Sequence, residues 1–176
     1  YDNALITRAA KESGFAEAAF EKAEEKATNS LLYSIAMGMN AYGNQEYGFA
    51  HLSLDDRIYL AQSEIIRTVA DEGPCVIIGR CADYVLKEYD NVLSVFVHAP
   101  HDFCMEQAAK KHSLSERELE KLIAKTDRQR AGYYKYHTGR EWTDARNYDL
   151  CLDSSKLGFE RCVDEILAYI DVRFGH

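Results

Sequence analysis

Three short apolar runs, rich in β-branched residues and separated by helical sequence, constrain this chain more than any other feature. They are CVIIG at 75–79, VLSVFVHA at 92–99 and YDLCLDSS at 148–155. A run of this kind is the pattern of a strand buried on both faces. Strands that alternate with helices pair in parallel, since each connection must cross back over the sheet. The expected class is therefore α/β, a parallel sheet wrapped by helices.

The helical segments carry their own punctuation. NALITRAAKES runs to Gly14, AEAAFEKAEEKA follows, and SLLYSIAM opens a mixed stretch that continues to Ser53 and holds Gly38, Gly43 and Gly48. Ser53 then caps LDDRIYLAQSEIIRTVADE, whose Leu54, Ile58, Ala61, Ile65, Ile66 and Val69 form an apolar stripe ending before Gly73. ADYVLKEY and DFCMEQAAKKH also read as helices. Ser115 and Glu118 have the spacing of a capping box and start a helix running towards Tyr136. FERCVDEILAYIDVRF closes the chain as an amphipathic helix.

At 176 residues the chain fits a single domain, 1–176. A chain of this size buries roughly 70% of its unfolded surface without disulfides or metal. No apolar run approaches the roughly 20 residues of a membrane span, and YDNALITRAAKESG does not read as a signal peptide. The net charge of −8 argues against a long nucleic acid as partner, yet leaves room for a small anion held by local arginines. Five cysteines without a C-x-x-C pair point to a reducing, cytoplasmic protein, with Cys75 and Cys151 buried as small hydrophobes.

In a parallel sheet, ligands bind beyond the carboxyl ends of the strands. Arg80 stands directly after the first run, beside Asp83, which is its bland salt-bridge partner. Arg57 lies near the start of the preceding helix. Lys125, Arg128, Arg130, Lys135 and Arg140 crowd one short stretch of an acidic chain. Guanidinium forks suit phosphate oxygens, and the bland alternative is a solvated basic face with Asp127 as partner. Arg128 and Arg130 diverge by about 200° on one straight helix. The pairs Gly38/Gly43 and Gly43/Gly48 have phosphate-loop spacing but lack the following Lys-Ser/Thr and a preceding strand, so no phosphate-binding loop is present. His98 and His101 lack acidic partners for a metal, Ser154 and Ser155 lack a nucleophile elbow, and Trp142 with Tyr133, Tyr134 and Tyr136 either stacks on a base or anchors a helix end.

Four segments together, YDNALITRAAKESG, GPCVIIGRCADYVL, KTDRQRAGYYKYHTGREW and NYDLCLDSSKLGFE, resemble the cytidylate kinase-like family of P-loop nucleoside monophosphate kinases. The resemblance implies a three-layer α/β/α P-loop NTPase domain that moves the γ-phosphoryl group of ATP, with Mg²⁺, to a nucleoside monophosphate. It implies that Arg80 holds the acceptor's phosphate with Arg57 assisting, and that Asp83 serves the substrate site. It further implies a helical lid at about 115–142 in which Asp127 orients Arg128 and Arg130 over the transferring group. Small-molecule nucleotides are then the partners, and no membrane or metal-ligating residue is called for. The sequence departs from the pattern in three ways. The family's first strand and glycine-rich loop have no counterpart here, which reads as an N-terminally incomplete chain, since a sheet lacking its central strand exposes its neighbours. Cys81 stands where an acidic residue is expected, and Phe103-Cys104-Met105 where arginines are common. A non-catalytic nucleotide-binding module on the same fold is the alternative.

Overall fold

A computed structural model describes residues 1, 8, 11 and 53–175. The expected helices before Ser53 and the glycine-spaced stretch lie outside the described residues. The chain divides into two compact units, Tyr1–Leu86 and Lys87–His176.

In the first unit, α1 spans Leu54–Glu72. Its start is set by Ser53, whose Oγ accepts the Asp56 N–H at 3.1 Å and donates to Asp56 Oδ2 at 2.7 Å. One face buries Ile58, Ile65, Ile66 and Val69, as the spacing requires. Beyond Gly73 the chain runs extended through 75–78 to a tight turn at Gly79-Arg80-Cys81 and the short helix α2, Ala82–Val85. The Tyr1 nitrogen donates to the Val76 carbonyl, and the Ile78 N–H donates to the Tyr1 carbonyl at 2.9 Å. Arg8 forks onto both carboxylate oxygens of Glu72 at 2.7 and 2.9 Å.

The second unit holds β1, Val95–His98, and β2, Leu150–Asp153, paired in parallel with Val95 opposite Leu150 and His98 opposite Asp153. Between them come α3, His101–Lys111, and α4, Glu116–Thr138, which pack on each other. The α4 cap has the predicted residues: the Glu118 carboxylate accepts the Ser115 N–H at 2.8 Å and its Oγ–H at 2.6 Å. A left-handed Gly139 ends the helix, where a side chain would be strained. The following loop is tied by Arg146, whose side-chain hydrogen bonds to Asp144 draw that carboxyl down to about 2. After β2 come the short helix α5, Ser154–Leu157, and α6, Phe159–Phe174. Phe96 stacks on Tyr148 at 4.9 Å and meets Trp142 edge-on at 5.5 Å, so these aromatics anchor the loop to the sheet.

Several expectations of burial fail. Among the described residues the sheet has two strands, and 75–78 is extended chain outside it. Val76 and Ile78 are 76% and 61% exposed, and Val97 of β1 is half exposed. An apolar run is covered on both faces only when strands flank it and helices lie above and below, and no described element does so here. On α6, Phe159, Val163 and Leu167 are exposed and Cys162 is the buried residue.

Cys75 and Cys151, expected in the core, are exposed for the same reason, whereas Cys81 and Cys162 are buried. Burial, and then the Asp83 charge, pushes the Cys81 thiol up to about 12. Alkylation at mildly alkaline pH is expected to label Cys75 and Cys151 in the folded 176-residue chain. Cys81 should label only after denaturation, since the thiolate is the nucleophile. Peptide mapping reads the result, and fast native labelling of Cys81 contradicts its burial.

Candidate functional site

The Gly79-Arg80-Cys81 turn is the most unusual backbone in the described chain. Its three residues take consecutive left-handed conformations, with φ of 71°, 56° and 55°. Glycine adopts this region freely, whereas each non-glycine residue costs on the order of 1–2 kcal/mol. Strain of this kind survives where surrounding structure imposes it, and it gathers at ligand sites. The turn carries Arg80 inward: the residue is 8% exposed, and its Nε and Nη1 are closed off from solvent. The unit thus holds a guanidinium fork below its surface. Asp83 is half-buried one turn further on, and Arg57 is half-buried in the first turns of α1.

In the second unit, Asp127, Arg128 and Arg130 all lie on α4, which continues unbroken through them, and all three are exposed. Helical spacing separates the two arginines. Arg130 falls on the stripe of Leu119, Ile123, Thr126 and Tyr134, which includes both buried residues of the helix, Leu119 and Tyr134. Arg128 falls on the opposite stripe with Arg117, Lys121 and Lys125, all exposed. Among the described residues no ion pair joins Asp127 to either arginine. The Asp127 charge reaches Cys104 of α3, whose thiol is raised first by burial and then by that charge.

At the carboxyl ends of the strands, His98 and Asp153 are in register. The Asp153 Oδ1 accepts the Ser155 Oγ–H at 2.6 Å and N–H at 2.9 Å, and Ser154 Oγ donates to the His98 carbonyl at 3.1 Å. The Ser155 hydroxyl chiefly lowers the Asp153 carboxyl against some burial, with His98 adding to it. Ser154 and Ser155 thus close the strand end. Sequence reasoning did not single out Asp55, whose carboxyl is raised by burial and then by Asp56. Its signal was available: Asp55, Ile58 and Gln62 are three and four residues apart, the spacing of one helix face.

The turn, the buried cation and the helical arginines acquire a context from comparison. A model of the cytidylate kinase-like family matches residues 1–156. The chain belongs to this family. The cytidylate kinase of Pyrococcus horikoshii is 31% identical over 134 residues, covering 76% of this chain and 67% of that protein. The cytidylate kinase of Thermococcus sibiricus is 30% identical over 135 residues, covering 77% and 67%. The crystal structure of an uncharacterized protein from Eubacterium ventriosum superposes with a TM-score of 0.65 at 29% identity, over 68% of this chain and 76% of that one. Membership in the cytidylate kinase-like family supports a kinase-like function, and the helix-rich α/β architecture with a small parallel sheet is consistent with it. No helix among the described residues is long and apolar enough to cross a membrane.

Proposed function

We propose that this chain belongs to a cytoplasmic, ATP-dependent nucleoside monophosphate kinase and supplies its acceptor-binding turn and its lid, residues about 115–142. The observation that carries the reading is Arg80, a buried guanidinium held on a strained turn at the end of an extended segment. A fixed cation of this kind binds a phosphate with little rotamer entropy left to lose, and its fork matches two phosphate oxygens.

Arg80 holds the acceptor's phosphate, Arg57 assists from α1, and Asp83 contributes to the substrate site. Phosphoryl transfer asks for positioning and charge neutralisation rather than a covalent nucleophile. Arg130, on the packed stripe of α4, neutralises charge on the transferred group, with Arg128 and Asp127 completing the lid. Lid closure excludes water that would otherwise take the phosphoryl group. ATP with Mg²⁺ supplies that group. The arginines fit the charged oxygens of the acceptor and of the transferred group. The fold this reading requires is a three-layer P-loop domain, and the parallel pairing of β1 with β2 is consistent with it.

A non-catalytic nucleotide-binding module on the same fold is the second reading. It is favoured by Cys81, a protonated thiol where relatives of the resemblance carry an acid. A coupled assay on the full-length protein with ATP, Mg²⁺ and CMP, dCMP, UMP, AMP or GMP separates the two. Turnover with one or two acceptors supports the kinase; nucleotide binding without turnover supports the module.

A further inference from the structure

The Gly79-Arg80-Cys81 turn takes its shape and its direction from different sources. Its backbone hydrogen bonds are local. The Ala82 N–H donates to the Gly79 carbonyl at 3.0 Å, and the Tyr84 and Val85 N–H groups donate to the Cys81 carbonyl at 3.0 and 2.9 Å. These bonds bend the chain and start α2. Among the described residues no backbone hydrogen bond joins the turn to α1, so the direction of Arg80 is set by side chains where α1 and α2 lie against each other. The turn and α2 bury Cys81 and Ala82, and α1 buries Ile58, Gln62, Ser63 and Ile66. Tyr59 lies four residues before Ser63 on that side of α1 and is itself half-buried. Burial raises its phenol, Cys81 raises it next, and Tyr84 adds to this while Ser63 opposes it. Cys81 ends the turn and Tyr84 is the third residue of α2, so the Tyr59 ring stands beside both. Left-handed residues persist only where their surroundings impose them, and an aromatic ring with two side-chain torsions makes a stiff support.

We propose that Tyr59 is a positioning residue: its ring braces the Gly79-Arg80-Cys81 turn against α1 and so aims the Arg80 guanidinium at the acceptor's phosphate. The inference rests on the nucleoside monophosphate kinase reading above. Tyr59 acts through Arg80 and needs no contact with substrate. A guanidinium displaced by about 1 Å meets the phosphate badly, and misplacement of that size can cost about a hundredfold. The brace is the ring and not the hydroxyl.

A double-mutant cycle on the full-length protein tests this, with Tyr59→Ala, Arg80→Ala and the pair assayed for phosphoryl transfer from ATP and Mg²⁺ to whichever of CMP, dCMP, UMP, AMP and GMP the wild type uses best. Tyr59→Ala should raise the acceptor's KM by about tenfold to a hundredfold and leave kcat and the KM for ATP nearly unchanged. In the Arg80→Ala background the same change should cost less than about twofold, because the group that Tyr59 serves is gone. Tyr59→Phe keeps the ring and should stay within about threefold of wild type. Thermal melts check folding, and Tyr59→Leu replaces Tyr59→Ala in the cycle if the latter does not fold. A wild-type KM in Tyr59→Ala, an equal loss in both backgrounds, or a loss in Tyr59→Phe as large as in Tyr59→Ala overturns the role of Tyr59 and leaves the kinase reading standing. A wild type that turns over none of the five monophosphates overturns that reading and the proposal with it.

Discussion

Arg80→Ala is expected to lower kcat/KM for the acceptor by about a hundredfold to ten-thousandfold, two charge-assisted hydrogen bonds being worth roughly 3–6 kcal/mol together. The affinity for ATP should change little. Folding should stay near normal, because the turn owes its shape to backbone hydrogen bonds such as that from Ala82 N–H to Gly79 O at 3.0 Å. Arg80→Gly separates charge from backbone. It should be equally inactive yet slightly more stable than Arg80→Ala, since only glycine takes a φ of 56° without strain. The coupled assay and a thermal melt on both variants read these effects. Wild-type kinetics in Arg80→Ala would remove the residue from the site.

The second large effect is a contrast between neighbours. Arg130→Ala should reduce kcat by about a hundredfold or more, with little change in the acceptor's KM, as expected for a cation that acts on charge in the transition state. Arg128→Ala should cost about threefold or less, because the unbroken α4 turns it about 200° from Arg130, onto the exposed basic stripe. Single-turnover kinetics isolates the chemical step. Equal and large losses in both variants would mean that α4 bends during the reaction and brings the two guanidinium groups round together.

Much of the architecture was legible because it is local. The Ser53 and Ser115 caps, the Gly73 stop and the apolar stripe of α1 depend on residues a few positions apart, and all are found where the spacing puts them. The strands VFVH and LCLD were legible too, down to the parallel pairing that alternating helices enforce. The run CVIIG was misread in its burial. Its composition states that it suits a covered strand, and composition cannot supply the cover. The site shows the same division. Arg80 was found from its position after an apolar run, but its depth and its left-handed backbone were not. A sequence has no mark for positive φ at an arginine, since by residue type only glycine, and to a lesser degree Asn and Asp, favours that region.

The amino-acid sequence by itself determined the order of helices and strands, their caps, the parallel sense of the sheet and the family. Each of these follows from periodicity or from segments compared one by one. Only the tertiary structure decided that Cys75 and Cys151 are exposed, that Arg80 lies beneath the surface, that Arg130 and Arg128 fall on opposite stripes of a continuous helix, and that Asp55 carries an enclosed oxygen. The reason is that burial and desolvation belong to no residue alone. They are set by what the rest of the chain brings against it.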